Sequence, residues 1–150
     1  MRIARMTNRN DEFYFLVGPF LSKREIVEET GYPVWDDPNT IWFVAIGTEY
    51  YVKGSGDSAE IFGLEGEYTL GIGCVRYKKG GRAVPGSLYV LPQFRGKGVG
   101  LRLVQEQKKE CLFHSNIEVV ATPASLSIYK KAGFIETGTR GKYTLLTLET

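Results

Sequence analysis

The sequence predicts a mixed α/β domain, and three observations predict it. Helix signals come early, between Asn10 and Gly31. An antiparallel-looking meander of strand patterns fills the middle of the chain. From Leu88 onward, strands and helices alternate. At 150 residues, with no repeat, low-complexity stretch or linker composition, the chain predicts one domain over residues 1–150.

The elements follow in order. Arg2 to Met6 alternates and predicts a first strand. Asn10 to Val17 is a short helix pattern ended by Gly18-Pro19. Ser22-Lys23-Arg24-Glu25 fits a capping box, in which Ser and Glu satisfy each other's backbone N–H groups. That second helix should stop at Gly31, with Pro33 just beyond. Val34 to Thr40 reads as a loop. Ile41 to Ile46 is a near-continuous apolar run and predicts a buried strand. Between Gly47 and Gly66 the pattern is mixed, with Lys53 to Ser58 as a flexible turn. Glu67 to Tyr77 reads as strand despite Gly71 and Gly73, which mark a bulge or the close approach of another group. Ala83 to Leu91 is a further strand, stopped at Pro92. Gly98 to Leu112 has the apolar spacing of an amphipathic helix. Ile117 to Ala121 is a short branched strand. Thr122-Pro123 places a capping residue before Pro at a helix start, and that helix ends at Gly133. Phe134 to Thr137 and Tyr143 to Leu148 close the chain as strands.

Composition excludes several classes. The chain is 43% hydrophobic and 24% charged, as an ordinary globular domain is. A net charge of +2 argues against nucleic acid as a partner. The local basic run Arg76, Lys78, Lys79 and Arg82 reads as a solvated hairpin tip. Two cysteines, Cys74 and Cys111, sit in apolar segments and read as buried free thiols. With a single histidine, His114, no zinc-type ligand set arises. No secretory leader pattern or membrane-spanning run is present, so the expectation is a cytoplasmic protein without a membrane partner.

The informative stretch is Leu88 to Leu101, where a strand ends, three glycines alternate with other residues, and a helix begins. Glycines let the backbone turn tightly and let a ligand approach without a Cβ in the way. The free N–H groups of the helix start and its dipole then make an anion site. Arg95 and Lys97 add positive charge, which suits a pyrophosphate. A Rossmann loop needs G-x-G-x-x-G, and this loop is G-x-G-x-G, late in the chain and after a meander. A Walker A loop needs G-x-x-x-x-G-K-[ST], which is absent.

Arg95-Gly96-Lys97-Gly98-Val99-Gly100 resembles the R/Q-x-x-G-x-G/A signature of the GNAT (Gcn5-related) N-acetyltransferases. Val90-Leu91-Pro92 before it resembles that family's strand end. Ser125 to Phe134 is similar to the family's second motif, a helix that carries a Tyr and ends in Gly-Phe. The close match covers about a third of the chain, from Leu88 to Phe134. The resemblance implies an acyl-CoA N-acyltransferase fold: a mostly antiparallel sheet flanked by helices, in the order strand, two helices, three strands, helix, strand, helix, two strands. It implies acetyl-coenzyme A (acetyl-CoA) as acyl donor, no metal, and transfer of acetyl to a primary amine of a small molecule or protein. Acetylation of aminoacyl-tRNA or a modified nucleic acid, and a non-catalytic CoA-binding sensor, are the alternatives. Many relatives are dimers, so a homodimer is allowed.

Carried over residue by residue, the resemblance implies that Val90 offers backbone hydrogen bonds to the pantetheine arm, with its N–H polarising the thioester carbonyl. Arg95, Gly96, Lys97, Gly98, Val99 and Gly100 would hold the pyrophosphate. Tyr129 stands at the position of the acid that protonates the leaving thiolate. Thr122 stands where many relatives have an Asn that touches the cofactor. Ser87 stands where many carry a Glu that serves as base, and it cannot do that alone. An amine with a pKa near ~10.4 must lose a proton to attack. Glu49, Glu60, Glu65, Glu67, Tyr89 and a water chain are the candidates to take it, and Glu67 begins a strand expected beside the cleft. Tyr32, Trp35, Asp36, Asp37 and Trp42 lie where the acceptor site is built in this fold. Trp35 with the two aspartates suits a cationic amine.

Overall fold

A computed structural model describes residues 1–48, 66–114 and 117–148. The turn expected at Lys53 to Ser58 and the carboxylates Glu49, Glu60 and Glu65 lie outside the described residues. The elements run β1 (Arg2–Met6), α1 (Phe13–Leu16), α2 (Arg24–Thr30), β2 (Thr40–Gly47), β3 (Tyr68–Tyr77), β4 (Ala83–Val90), α3 (Val99–Glu110), β5 (Ile117–Ala121), α4 (Leu126–Lys131), β6 (Ile135–Arg140) and β7 (Tyr143–Leu148). This is the expected order. The strands form two antiparallel sheets, β1-β2-β3-β4 and β5-β7-β6. Strands β4 and β5 are in contact but share no ladder, so the sheets part between them.

Local chemistry explains most element ends. Gly31 closes α2 in the left-handed region at φ 93°. Gly133 does the same after α4 at φ 99°, and the Phe134 N–H donates back to the Tyr129 carbonyl in a Schellman arrangement. At the start of that helix the Thr122 hydroxyl accepts from the Ser125 N–H, while the Ser125 hydroxyl accepts from the Thr122 N–H. Thr122 and Ser125 therefore form the reciprocal cap, one turn before α4 proper. The capping box expected at Ser22 does not form. Ser22 is itself left-handed at φ 58°, and α2 starts without a side-chain cap.

The core is continuous across both sheets. Trp42, Val44 and Ile46 of β2 and Ile72 and Cys74 of β3 are fully buried, and Leu103 and Val104 of α3 and Leu146 of β7 join the same cluster. Gly71 is needed for close approach: a Cβ there would stand 2.9 Å from the Tyr89 carbonyl oxygen. A register shift between Ile72 and Cys74 marks a bulge in the β3–β4 ladder. Opposite it, Ser87 takes φ 47°, a left-handed conformation uncommon outside glycine. Both cysteines are free and buried. Arg76 departs from the solvated tip that the basic run suggested: it is buried, and only Lys78, Lys79 and Arg82 face solvent. No helix among the described residues is long and apolar enough to cross a membrane.

Candidate active site

A cavity of about 380 Å³ opens where the sheets part. Its walls are the end of β4, the glycine loop, the first turn of α3, the Thr122–Ile128 segment, and Glu29 and Thr30 of α2. Strand β4 ends here because Pro92 cannot extend a ladder; the Leu91 N–H makes a last bond to the Leu70 carbonyl at 2.9 Å. The chain then turns through Pro92–Phe94 into the loop. Gly96 and Gly98 both sit at positive φ, 78° and 82°, with open space where a Cβ would point. Their requirement is conformational. Gly100 differs: a Cβ there would stand 2.7 Å from the end of Ile128.

Gly98 caps α3 without a side-chain hydrogen bond, and no acidic residue sits in the first turn. The first main-chain bond of the helix runs from the Arg102 N–H to the Gly98 carbonyl. The N–H groups ahead of it are therefore free to face an anion at the cavity wall, where Gly98, Val99, Gly100 and Leu101 lie.

Arg95 is more engaged than the sequence suggests. Its Nε donates to the Val90 carbonyl at 2.8 Å, and its two terminal nitrogens lie 2.6 and 2.9 Å from the Glu29 carboxylate. Hydrogen bonding to Arg95 holds Glu29 below the usual carboxylate range. Glu29 in turn, after burial, raises the Tyr89 phenol. The pair removes one negative charge from the cavity and fixes α2 against the end of β4. Lys97 does not line the cavity, while Lys131 of α4 does.

Tyr129 is 1% exposed and lies behind the cavity wall. Its hydroxyl donates to Gln107 Oε1 at 3.0 Å, and Gln107 Nε2 donates to the carbonyls of Cys74 and Gly86. Burial pushes the phenol well above its ordinary value. Glu67 does not line the cavity either; it pairs with Arg2 at 2.6 Å. The structure thus brings together Val90, the glycine loop, Arg95 and Thr122, with Tyr129 one layer behind and Glu67 elsewhere.

The acceptor-side residues are also committed. Asp36 accepts from Trp42 Nε1 and from Asn8, and Asp37 from the Asn39 N–H and the Thr40 hydroxyl. The Trp35 ring already carries the Arg76 guanidinium, 3.8 Å from its centroid. These residues do not form the cation site expected of them, because the Arg76 guanidinium and internal hydrogen bonds occupy them. Glu29, Thr30, Ser125, Ser127 and Lys131 line the cavity without having been singled out in the sequence. The reciprocal spacing of Thr122 and Ser125 was a readable signal for Ser125; Glu29 lies on a helix with no motif.

The sequence profile of the acetyltransferase (GNAT) domain matches residues 57–136. The chain belongs to the GNAT acetyltransferase family. It is therefore an acyltransferase domain, and the acyl-CoA N-acyltransferase fold foreseen from its motifs is the one it has. Two solved structures agree in fold. A domain from Methanocaldococcus jannaschii is 13% identical and covers 99% of both chains at TM-score 0.69. An aminoglycoside 6'-N-acetyltransferase complexed with coenzyme A is 15% identical, covering 99% of this chain and 97% of its own at TM-score 0.65. A PaiA N-acetyltransferase from Thermoplasma acidophilum, also in complex with coenzyme A, is 19% identical and is spanned over only 55% of its length, at TM-score 0.48. No curated protein matches the GNAT chain in sequence.

Proposed function

We propose that the chain transfers the acetyl group of acetyl-CoA to a primary amine. One observation carries this reading: the cavity runs from the uncapped start of α3 to the end of β4, where the two sheets separate. An anion site at one end and a free strand terminus at the other suit a pyrophosphate and its pantetheine arm. The bound coenzyme A of the aminoglycoside acetyltransferase supports the choice of ligand.

In this reading the N–H groups of Gly96 to Gly100 take the pyrophosphate, with Lys131 adding charge at the cavity wall, Lys97 from the loop outside it, and Arg95 positioned by Glu29. Thr122 borders the ligand but spends its hydroxyl on the cap. The amine nitrogen attacks the thioester carbon, the C–N bond forms and the C–S bond breaks. The Val90 N–H is the proposed donor to the oxyanion. The amine's proton must go to a base and the thiolate must gain one. Tyr129 is the proposed acid, which requires its hydroxyl to leave Gln107. Glu67 is the proposed base, which requires it to leave Arg2.

Calorimetry with acetyl-CoA tests the binding half. Gly98→Val should weaken affinity, because a branched side chain at positive φ strains the loop. Absence of affinity for acetyl-CoA and CoA in the parent chain would overturn the reading. Thiol release against a panel of amines tests transfer. Glu67→Gln should lower kcat while leaving acetyl-CoA affinity unchanged; an unchanged kcat removes Glu67 from the mechanism.

A further inference from the structure

Arg76 is a buried cation whose contacts are all neutral. It lies on β3, 6% exposed, in a strand buried from Tyr68 to Arg76. Its Nη2 donates to the Trp35 carbonyl at 2.6 Å and to the Ser87 hydroxyl at 3.0 Å. The guanidinium stacks on the Trp35 ring. Its Nε is buried and has no hydrogen-bond acceptor. Among the described residues no carboxylate comes within ion-pair distance of it, and the two nearby aspartates are held by other donors. Burying a guanidinium without an anion is costly, and arginines in such places are ordinarily paired.

Contacts on two flanks place Arg76 near the transfer site. Ser87 is on the strand whose end is Val90, and its left-handed backbone aims its hydroxyl at the guanidinium. Gly86 leaves room for Arg76 Nη1, which would stand 2.9 Å from a Cβ at that position. The Gly86 carbonyl accepts from Gln107, the partner of Tyr129. On the other flank, Thr30 lines the cofactor cavity and its hydroxyl donates to the Tyr32 carbonyl. The cation therefore reaches β4 at Ser87, on the strand that ends at Val90.

We propose that Arg76 is the anion-binding residue of the acceptor site, and that the acceptor carries a carboxylate close to its amine, as a free amino acid does. A carboxylate supplies the planar, two-oxygen acceptor that the guanidinium fork fits. It would satisfy Nε and neutralise the buried charge. Its amine would then project along β4 toward Val90. The proposal rests on the acetyltransferase reading and narrows its acceptor.

The test uses the full chain, saturating acetyl-CoA, and the free L-amino acids, each beside its own α-carboxamide. The amide keeps the amine and side chain and removes only the negative charge. Thiol release should favour the acids, with kcat/KM about tenfold or more above the amides, the size expected of a charged hydrogen bond. Arg76→Gln should bring the acid-to-amide ratio to near one, and Arg76→Lys should restore part of it. The ratio is the readout because a merely structural loss lowers both members together. Equal use of acids and amides by the parent chain overturns the proposal, as does a ratio unchanged in Arg76→Gln; neither touches the acetyltransferase reading. Should no amine turn over, N-acetyl-L-amino acids are titrated into the CoA-saturated chain by calorimetry. Binding lost in Arg76→Gln supports the proposal, and no binding to the parent chain overturns it.

Discussion

Single side chains at this site are held by partners that decide what each can do. The Tyr129 hydroxyl has Gln107 as acceptor in a dry setting, and removing it leaves Gln107 Oε1 short of a donor. Tyr129→Phe should therefore lower stability by about 1–3 kcal/mol, read by urea unfolding. If Tyr129 is also the acid, kcat falls further than stability explains while the acetyl-CoA affinity stays. An unchanged kcat with lowered stability assigns it to packing alone. Glu29 offers a second reading at this scale. Arg95 depresses its folded value, so the pair stabilises the fold above the unfolded carboxylate value of about 4.3. That contribution disappears as pH falls through the lower folded value. The Tm gap between the parent chain and Glu29→Gln should thus be widest at neutral pH and shrink below about pH 4. A gap that does not change with pH would show that the charge pair adds nothing. Neither partnership was legible in the sequence. Tyr129 was visible through its motif, but Gln107, Glu29 and the buried Arg76 have no local pattern. Their roles come from contacts between residues 22, 66 and 41 positions apart.

At the scale of elements, the turn chemistry explains what could be read and what could not. Strands β1 and β5 have the expected bounds because alternation and branched runs mark them directly. Helix α2 ends where Gly31 predicts, since only a left-handed residue closes that turn cheaply. The capping box at Ser22 failed for a tertiary reason: Leu21 bridges Val34, and the Ser22 N–H donates to the Val34 carbonyl, which fixes the backbone away from a cap. The loop and α3 were legible because the same glycines that turn the chain into the helix punctuate the sequence. The packing of α3 on α4 at Gly100 was not. Gly100→Leu should push against Ile128 and shift the two helix starts that flank the cavity. Acetyl-CoA affinity should then drop more than tenfold while Gly138→Ala, remote from the cavity, leaves it unchanged. Equal affinities in the two variants would mean that the α3–α4 contact does not shape the site.

For the whole molecule, the parting of the two sheets is the feature that periodicity could not supply. Strand patterns give faces and lengths but not which strands pair: β4 and β5 touch without a ladder, while β4 pairs with β3 and β5 with β7. The gap weakens the fold where it creates the cavity, because neither β4 nor β5 gains a ladder partner there. A ligand that fills it joins the two halves. Binding to the folded state alone stabilises by about 2.7 kcal/mol at a free ligand concentration of 100 Kd. For a domain of this size each kcal/mol is worth about 2–4 °C. Saturating acetyl-CoA should therefore raise Tm by roughly 5–11 °C at that concentration. Amide exchange should slow most in β4, β5 and the first turn of α3, and least in β1, which lies at the far edge of its sheet. A Tm that rises without local protection at β4 and β5 would mean that the ligand binds outside the gap. The functional site would then have to be sought elsewhere on the chain.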